Sequence, residues 1–228
     1  MLLSSAELDA LWLTVALATV TTIILLLLGT PLAWWLARTR NKWPALIEAA
    51  VAMPLILPPT VLGFYLLLMF APDTALGRAW QQFTGTQLAF SFSALVIGSV
   101  IYSLPFVVQP LQGAFQRVPD GLLQAAASLG AKPLDQFVSV VLPMTRSSFV
   151  TAASLGFAHT VGEFGVVLMI GGNIPGETQV LSIALYDYVE SLQFEEAHRL
   201  AAGLVVFSAL LLIWLYRNDR RESWRMRA

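Results

Sequence analysis

The stretch QAAASLGAKPLDQFVSVVLP, residues 124–143, interrupts a membrane-grade chain with what read as two short amphipathic helices around a glycine. Leu122, Ala125, Ala126 and Leu129 recur at i, i+3, i+4 and i+7, and after Gly130 the series Leu134, Phe137, Val138 and Val141 does the same. That spacing marks one face of a helix. Gly130 stands where a left-handed C-terminal cap is needed, Pro133 suits a first helical turn, and Pro143 is expected to stop the second helix. A hairpin lying on lipid is one reading, but such helices normally carry a basic polar face. Here the polar side holds Gln124, Ser128, Asp135, Gln136 and Ser139 with a single cation, Lys132. A protein groove fits better, because helix-in-groove docking uses this set of anchors.

Outward from that loop the chain is apolar. Of 228 residues 57% are hydrophobic and 12% charged, against about 45–50% and about 25% in soluble domains. The surplus lies in charge-free runs such as Leu11 to Ala37 and Ala49 to Ala71, each meeting the roughly 20 residues of a spanning helix. Barrel strands would be shorter and alternating. The first run is too long for a signal-peptide core, follows Glu7 and Asp9 rather than basic residues, and ends in Trp34 and Trp35 without a small-residue cleavage site, so it reads as a retained helix. No cysteine is present, which excludes disulfides, thiolate metal sites and thiol catalysis. The net charge of −1 offers nothing to nucleic acid.

Five spans are expected, at about 11–37, 46–71, 93–115, 147–171 and 199–216, within a single transmembrane domain covering 1–228. The last is the shortest, with 17 uncharged residues from Leu200 to Tyr216 and Trp214 and Tyr216 as interfacial anchors. Eleven of the thirteen cations fall on one side: Arg38, Arg40, Lys42, Arg117, Lys132, Arg146, Arg217, Arg220, Arg221, Arg225 and Arg227. Arg78 and Arg199 fall on the other. By the positive-inside rule the N-terminus is outside, the C-terminus is cytoplasmic, and the 116–146 loop faces the cytoplasm.

At this point the sequence resembles a known family, the permease subunits of ABC importers. Their cytoplasmic loop carries E-A-A-x-x-L-G, a spacer and L-P; here Gln124-Ala125-Ala126-Ala127-Ser128-Leu129-Gly130 is followed by Leu142-Pro143. Gln124 replaces the usual Glu and removes its charge. The resemblance implies an all-helical type I ABC importer permease fold. It also implies that Gln124, Ala125, Ala126, Leu129, Gly130, Leu134 and Phe137 couple to an ATP-binding subunit. No G-x-x-x-x-G-K-[ST] phosphate loop occurs in the chain. Hydrolysis is therefore expected on a separate polypeptide, and the chain itself is expected to be no enzyme and to need no cofactor or metal.

Polar and kinked positions within the spans suggest a pathway. In MPLILPPT, Pro54, Pro58 and Pro59 each remove a backbone donor, so span two is expected to kink. Pro105 and Pro110 do the same around Ser103 and Gln109 in span three. Irregular backbone at membrane depth is tolerated where it is buried in protein or lines a wet cavity. Packing kinks are the plainer alternative. Glu163 is the costliest group, since a charge at membrane centre costs about 2.5–3.5 kcal/mol even on lenient scales. Three roles stay open for it: a brace that holds helices together or receives backbone donors from a neighbouring broken helix, a gate, or a proton relay with His159 one turn earlier. Pro58, Pro59, Thr60, Ser103 and Glu163 are the candidate pathway or gate residues.

The run VGEFGVVLMIGGNIPGET, residues 161–178, and PLILPPTVLGFYLL, residues 54–67, resemble the molybdate-type permeases. Sulfate and thiosulfate permeases are similar but usually carry Tyr in place of Phe164. The resemblance implies a multi-pass protein of the cytoplasmic (inner) membrane. It would pair with a second copy of itself, two ATP-binding subunits and a periplasmic or extracellular molybdate-binding protein, among membrane lipid and without nucleic acid. Tungstate or sulfate are alternative substrates, and a transporter driven by ion gradients is the alternative class.

Overall fold

The computed structural model describes residues 4–39 and 43–225. Arg40, Lys42 and Arg227 lie outside the described residues, as do the side chains of Tyr216, Arg220, Arg221 and Arg225. Among the described residues the chain is all helical, with four helices long and apolar enough to span a membrane and a fifth candidate made of a bent pair. Two long helices form the axis: α1 (Ser5–Arg38) and α5 (Phe92–Gln116). Bilayer lipid is as apolar as leucine, so helices associate through close packing rather than hydrophobic drive. Gly29 of α1 and Gly156 of α8 (Leu142–Gly162) supply that closeness. A Cβ at Gly29 would lie 3.2 Å from Val107, and one at Gly156 would lie 2.9 Å from it.

The buried side chains fall in two main clusters along this axis. Leu25, Leu36, Val107, Leu111, Phe115 and Val141 fill the end nearer the 116–146 loop. Leu17, Phe70, Leu95, Val166, Ile170 and Ile183 fill the other. Ion pairs mark both extremities. Glu7, 1% exposed and held in a capping box with Ser4, accepts from Arg199 at 2.5 Å. At the far end Arg38 pairs with Asp120.

Span two is a break rather than a kink. α2 (Trp43–Ile56) and α3 (Pro59–Phe70) meet at 110°. A residue before proline is pushed out of the helical region, and Pro58, which precedes Pro59, sits at φ −55, ψ 135. Span three differs: α5 runs unbroken through Pro105 and Pro110. Those prolines stand apart, and each deletes one ladder bond from a helix held along its length by α1 and α8. Span four also departs from a continuous 147–171 helix. α8 ends at Gly162, Glu163 is extended at φ −73, ψ 135, and α9 (Gly165–Gly171) restarts the helix.

Pro143 does not stop its helix. α6 (Asp120–Ser128) and α7 (Pro133–Gln136) are followed by a π turn, Phe137–Val141, that runs directly into α8. The i→i+5 spacing widens the helix, so the proline ring avoids the carbonyl it would otherwise strike and the chain passes through. Two elements have no counterpart among the expected spans: α4 (Ala75–Thr84) and α10 (Leu181–Glu190). The last helix, α11 (Phe194–Arg225), begins before the expected 199. It packs chiefly on α10 through Leu200 and Ala184. Its apolar face, including Val205, Val206 and Leu210, stays exposed.

Candidate functional site: a cavity between two broken helices

The two breaks lie against each other. A Cβ at Gly165 would fall 2.6 Å from Pro59 Cβ, and one at Gly63 would fall 2.7 Å from Met169 Cβ, so α3 and α9 approach at van der Waals range. A cavity of about 540 Å³ opens at this junction, lined by Pro59, Thr60, Tyr102, His159, Glu163 and Phe164 among others. The structure thus brings Pro59, Thr60 and Glu163 together. Pro58 precedes α3 at the cavity edge, and Ser103 stands behind the wall, donating to or accepting from His159 Nδ1 at 2.9 Å.

Glu163 is 5% exposed, and neither carboxyl oxygen has a hydrogen-bond partner among the described residues. The Ser99 hydroxyl, fully buried and equally unpartnered, faces it without closing a hydrogen bond. Of the brace reading, the form in which the carboxylate receives backbone donors is not seen among the described residues. His159 and Glu163 line the same cavity, but no hydrogen bond joins them among the described residues; His159 stacks on Phe106 at 4.0 Å and bonds Ser103. Glu163 is thus a buried acceptor pair beside a cavity, at a place where the backbone is broken.

The backbone of that break is satisfied from α10. Glu163 O accepts from Ser182 Oγ at 2.5 Å, the Phe164 ring tilts against Tyr186 at 4.9 Å, and Leu181 N donates to Thr14 Oγ1 at 2.8 Å, tying α10 to α1. The following GGNIPGET run is a tight turn closed on itself: Thr178 Oγ1 donates to Gly171 O at 2.7 Å, and Gln179 Nε2 donates to Asn173 Oδ1 at 2.7 Å. Tyr102, which lines the cavity, and Ser182, which holds its Glu163 backbone, are candidate-site residues absent from the sequence expectation. Neither carries a local signal; the partner of Ser182 lies 19 residues away.

The 120–143 segment is a second candidate site. Gly130 adopts φ +89, and the Ala131 N to Ala126 O and Gly130 N to Ala127 O bonds complete a Schellman cap. α6 buries none of its side chains. Leu129 is 90% exposed and Leu134 72%. Gln124, Ala125, Ala126 and Gly130 border that same face, with Ala126 alone half-buried. Phe137 points away from it, edge-on to Trp34 at 5.5 Å and to Phe115 at 5.9 Å.

A family model described as "Binding-protein-dependent transport system inner membrane component" matches residues 29–221. Molybdenum transport system permease protein ModB of Azotobacter vinelandii is 53% identical over 221 residues, 97% of this chain and 98% of that protein. Among solved structures, a bacterial alginate ABC transporter matches with a TM-score of 0.77 at 12% identity, covering 96% of this chain and 80% of that one. The MetNI methionine ABC transporter, in an inward-facing conformation, matches with a TM-score of 0.70 at 20% identity, covering 96% and 99%. At those identities the structures speak for the fold.

Proposed function

The chain belongs to the family of binding-protein-dependent transport system inner membrane components, and from that membership we propose that it is the membrane-spanning subunit of a molybdate importer driven by a separate ATP-binding subunit. It is a multi-pass inner-membrane protein and a transport component. The observation that carries the coupling is the exposed apolar pair Leu129 and Leu134, presented beside a capped helix, α6, none of whose side chains is fully buried. Such a surface is an anchor set for a groove on a partner. Because the chain has no phosphate loop, that partner is the source of ATP hydrolysis.

The substrate follows from kinship with the Azotobacter vinelandii protein, whose name specifies molybdenum transport. The assembly contains two copies of this chain, since each presents one 120–143 segment and two ATP-binding subunits need two, together with an external molybdate-binding protein. The Arg38 end faces the cytoplasm and the Glu7–Arg199 end faces outward, as the cation distribution requires. Closure of the ATP-binding subunits draws the two 120–143 segments together, and the cavity between the α2–α3 and α8–α9 breaks turns outward. Pro58, Pro59, Thr60, Ser103 and Glu163 line or support that pathway.

The test is uptake of radiolabelled molybdate into proteoliposomes holding the full complex and the binding protein. ATP-dependent uptake that excess tungstate competes for strongly and excess sulfate weakly is the expected result. Uptake without the ATP-binding subunit would overturn the mechanism, and equal competition by sulfate would move the substrate to sulfate.

A further inference from the structure

We propose that Arg38 is a positioning residue that transmits movement of the 120–143 segment into the membrane helices; this rests on the coupling role proposed above. Its guanidinium joins three elements. One nitrogen pairs with Asp120, the first residue of α6. The other donates to Phe115 O at 3.3 Å and Val118 O at 3.1 Å, at the C-terminal end of α5. The group also lies 4.8 Å over the Trp34 ring. A planar fork with several fixed donors can do all of this at once, whereas an ammonium cannot.

The surroundings make this contact a transmission point. α6 buries no side chain, and Leu123 is the residue through which it touches the core, so it rides outside the bundle. Asp120 at the start of α6 is well placed for the helix dipole and for Arg38 alike. The other end of the segment is fixed by the aromatic group Trp34, Phe115 and Phe137, which meet edge to face at 5.4 to 5.9 Å. Both attachments converge on α1 and α5. α5 then carries Tyr102 and Ser103 to the cavity, roughly 20 Å further along the same helix. A push on α6 thus reaches the cavity through Arg38 and the unbroken helix α5, without passing through the π turn.

The experiment uses the complete complex in proteoliposomes, with molybdate as probe, and reads three quantities: retention of the ATP-binding subunit on purification, ATP hydrolysis, and molybdate imported per ATP hydrolysed. Asp120→Ala, at a half-exposed position, and Arg38→Lys, which keeps the charge but loses the fork, are expected to retain the subunit and hydrolyse ATP. Import per ATP should fall about five-fold or more. Arg38→Ala should fall at least as far. Wild-type import per ATP in both Asp120→Ala and Arg38→Lys would overturn the proposal. So would loss of the ATP-binding subunit in Asp120→Ala, which would place Asp120 at the subunit contact itself. Absence of ATP-dependent uptake in the unsubstituted complex would instead bring down the importer reading on which the proposal stands.

Discussion

The α2–α3 break and the α8–α9 break touch, yet they are built in different ways. The first is covalent: Pro58 and Pro59 are adjacent, and the chain cannot continue as a helix through them. The second contains no proline. Glu163 and Phe164 are ordinary residues between two glycines, and the open backbone exists because Ser182 and Tyr186 of α10 receive it. A break imposed by the chain persists whatever surrounds it. A break imposed by packing can be moved by whatever moves the packing, so in the proposed pathway the α8–α9 junction is the candidate gate and the α2–α3 junction its fixed wall.

The strongest way to break this comparison is to wedge the junctions apart. Gly165→Val places a side chain where a Cβ would already lie 2.6 Å from Pro59 Cβ. Overpacking of this kind costs roughly 1–3 kcal/mol, and the upper end is expected because the obstacle is a ring fixed to the backbone. Molybdate uptake should be lost. Gly162→Ala is the control, since a Cβ there meets nothing within 4 Å. Thermal unfolding of the detergent-solubilised complex and uptake together decide it. If Gly165→Val melts and transports as the unsubstituted protein does, the two breaks do not lean on each other.

A smaller effect with an informative sign is expected at Glu163. A buried polar group without a partner costs about 1–3 kcal/mol by mutational data, and both of its carboxyl oxygens are unpartnered. Glu163→Leu should therefore stabilise the fold by about 1 kcal/mol while abolishing uptake, the pattern of a site that trades stability for function. A lower unfolding temperature in Glu163→Leu would favour the brace reading over the gate.

Much of this architecture was legible because its signals are local. Long uncharged runs announced α1 and α5, Gly130 announced its left-handed cap, and the Pro58-Pro59 pair announced a disturbance whose 110° extent only the fold reveals. Glu163 stood out by its cost in a membrane. The remainder depended on distance along the chain. α10 is short and interrupts no long apolar run, and Ser182 acts on a carbonyl 19 residues earlier. Pro143 looked like a helix stop because a π turn, which no residue type encodes, absorbs it. Phe137 shares a periodic face with Leu134 and Val138, but the same π turn swings it into the aromatic group around Trp34.

The least effect belongs to Pro58, and it sharpens the contrast most. If the α2–α3 break is written into the chain, it is written twice, because Pro59 alone keeps the preceding residue extended. Pro58→Ala should leave Ala at that position near the same φ and ψ, with the break intact. The cost is then confined to the greater freedom of the unfolded chain, about 0.4–1 kcal/mol, and uptake should match the unsubstituted protein. Pro59 offers no such test, since its ring also packs against Gly165. Should Pro58→Ala reduce uptake as far as Glu163→Leu does, the ring of Pro58 would line the pathway rather than only support it. The wall would then be as sensitive to a single side chain as the gate.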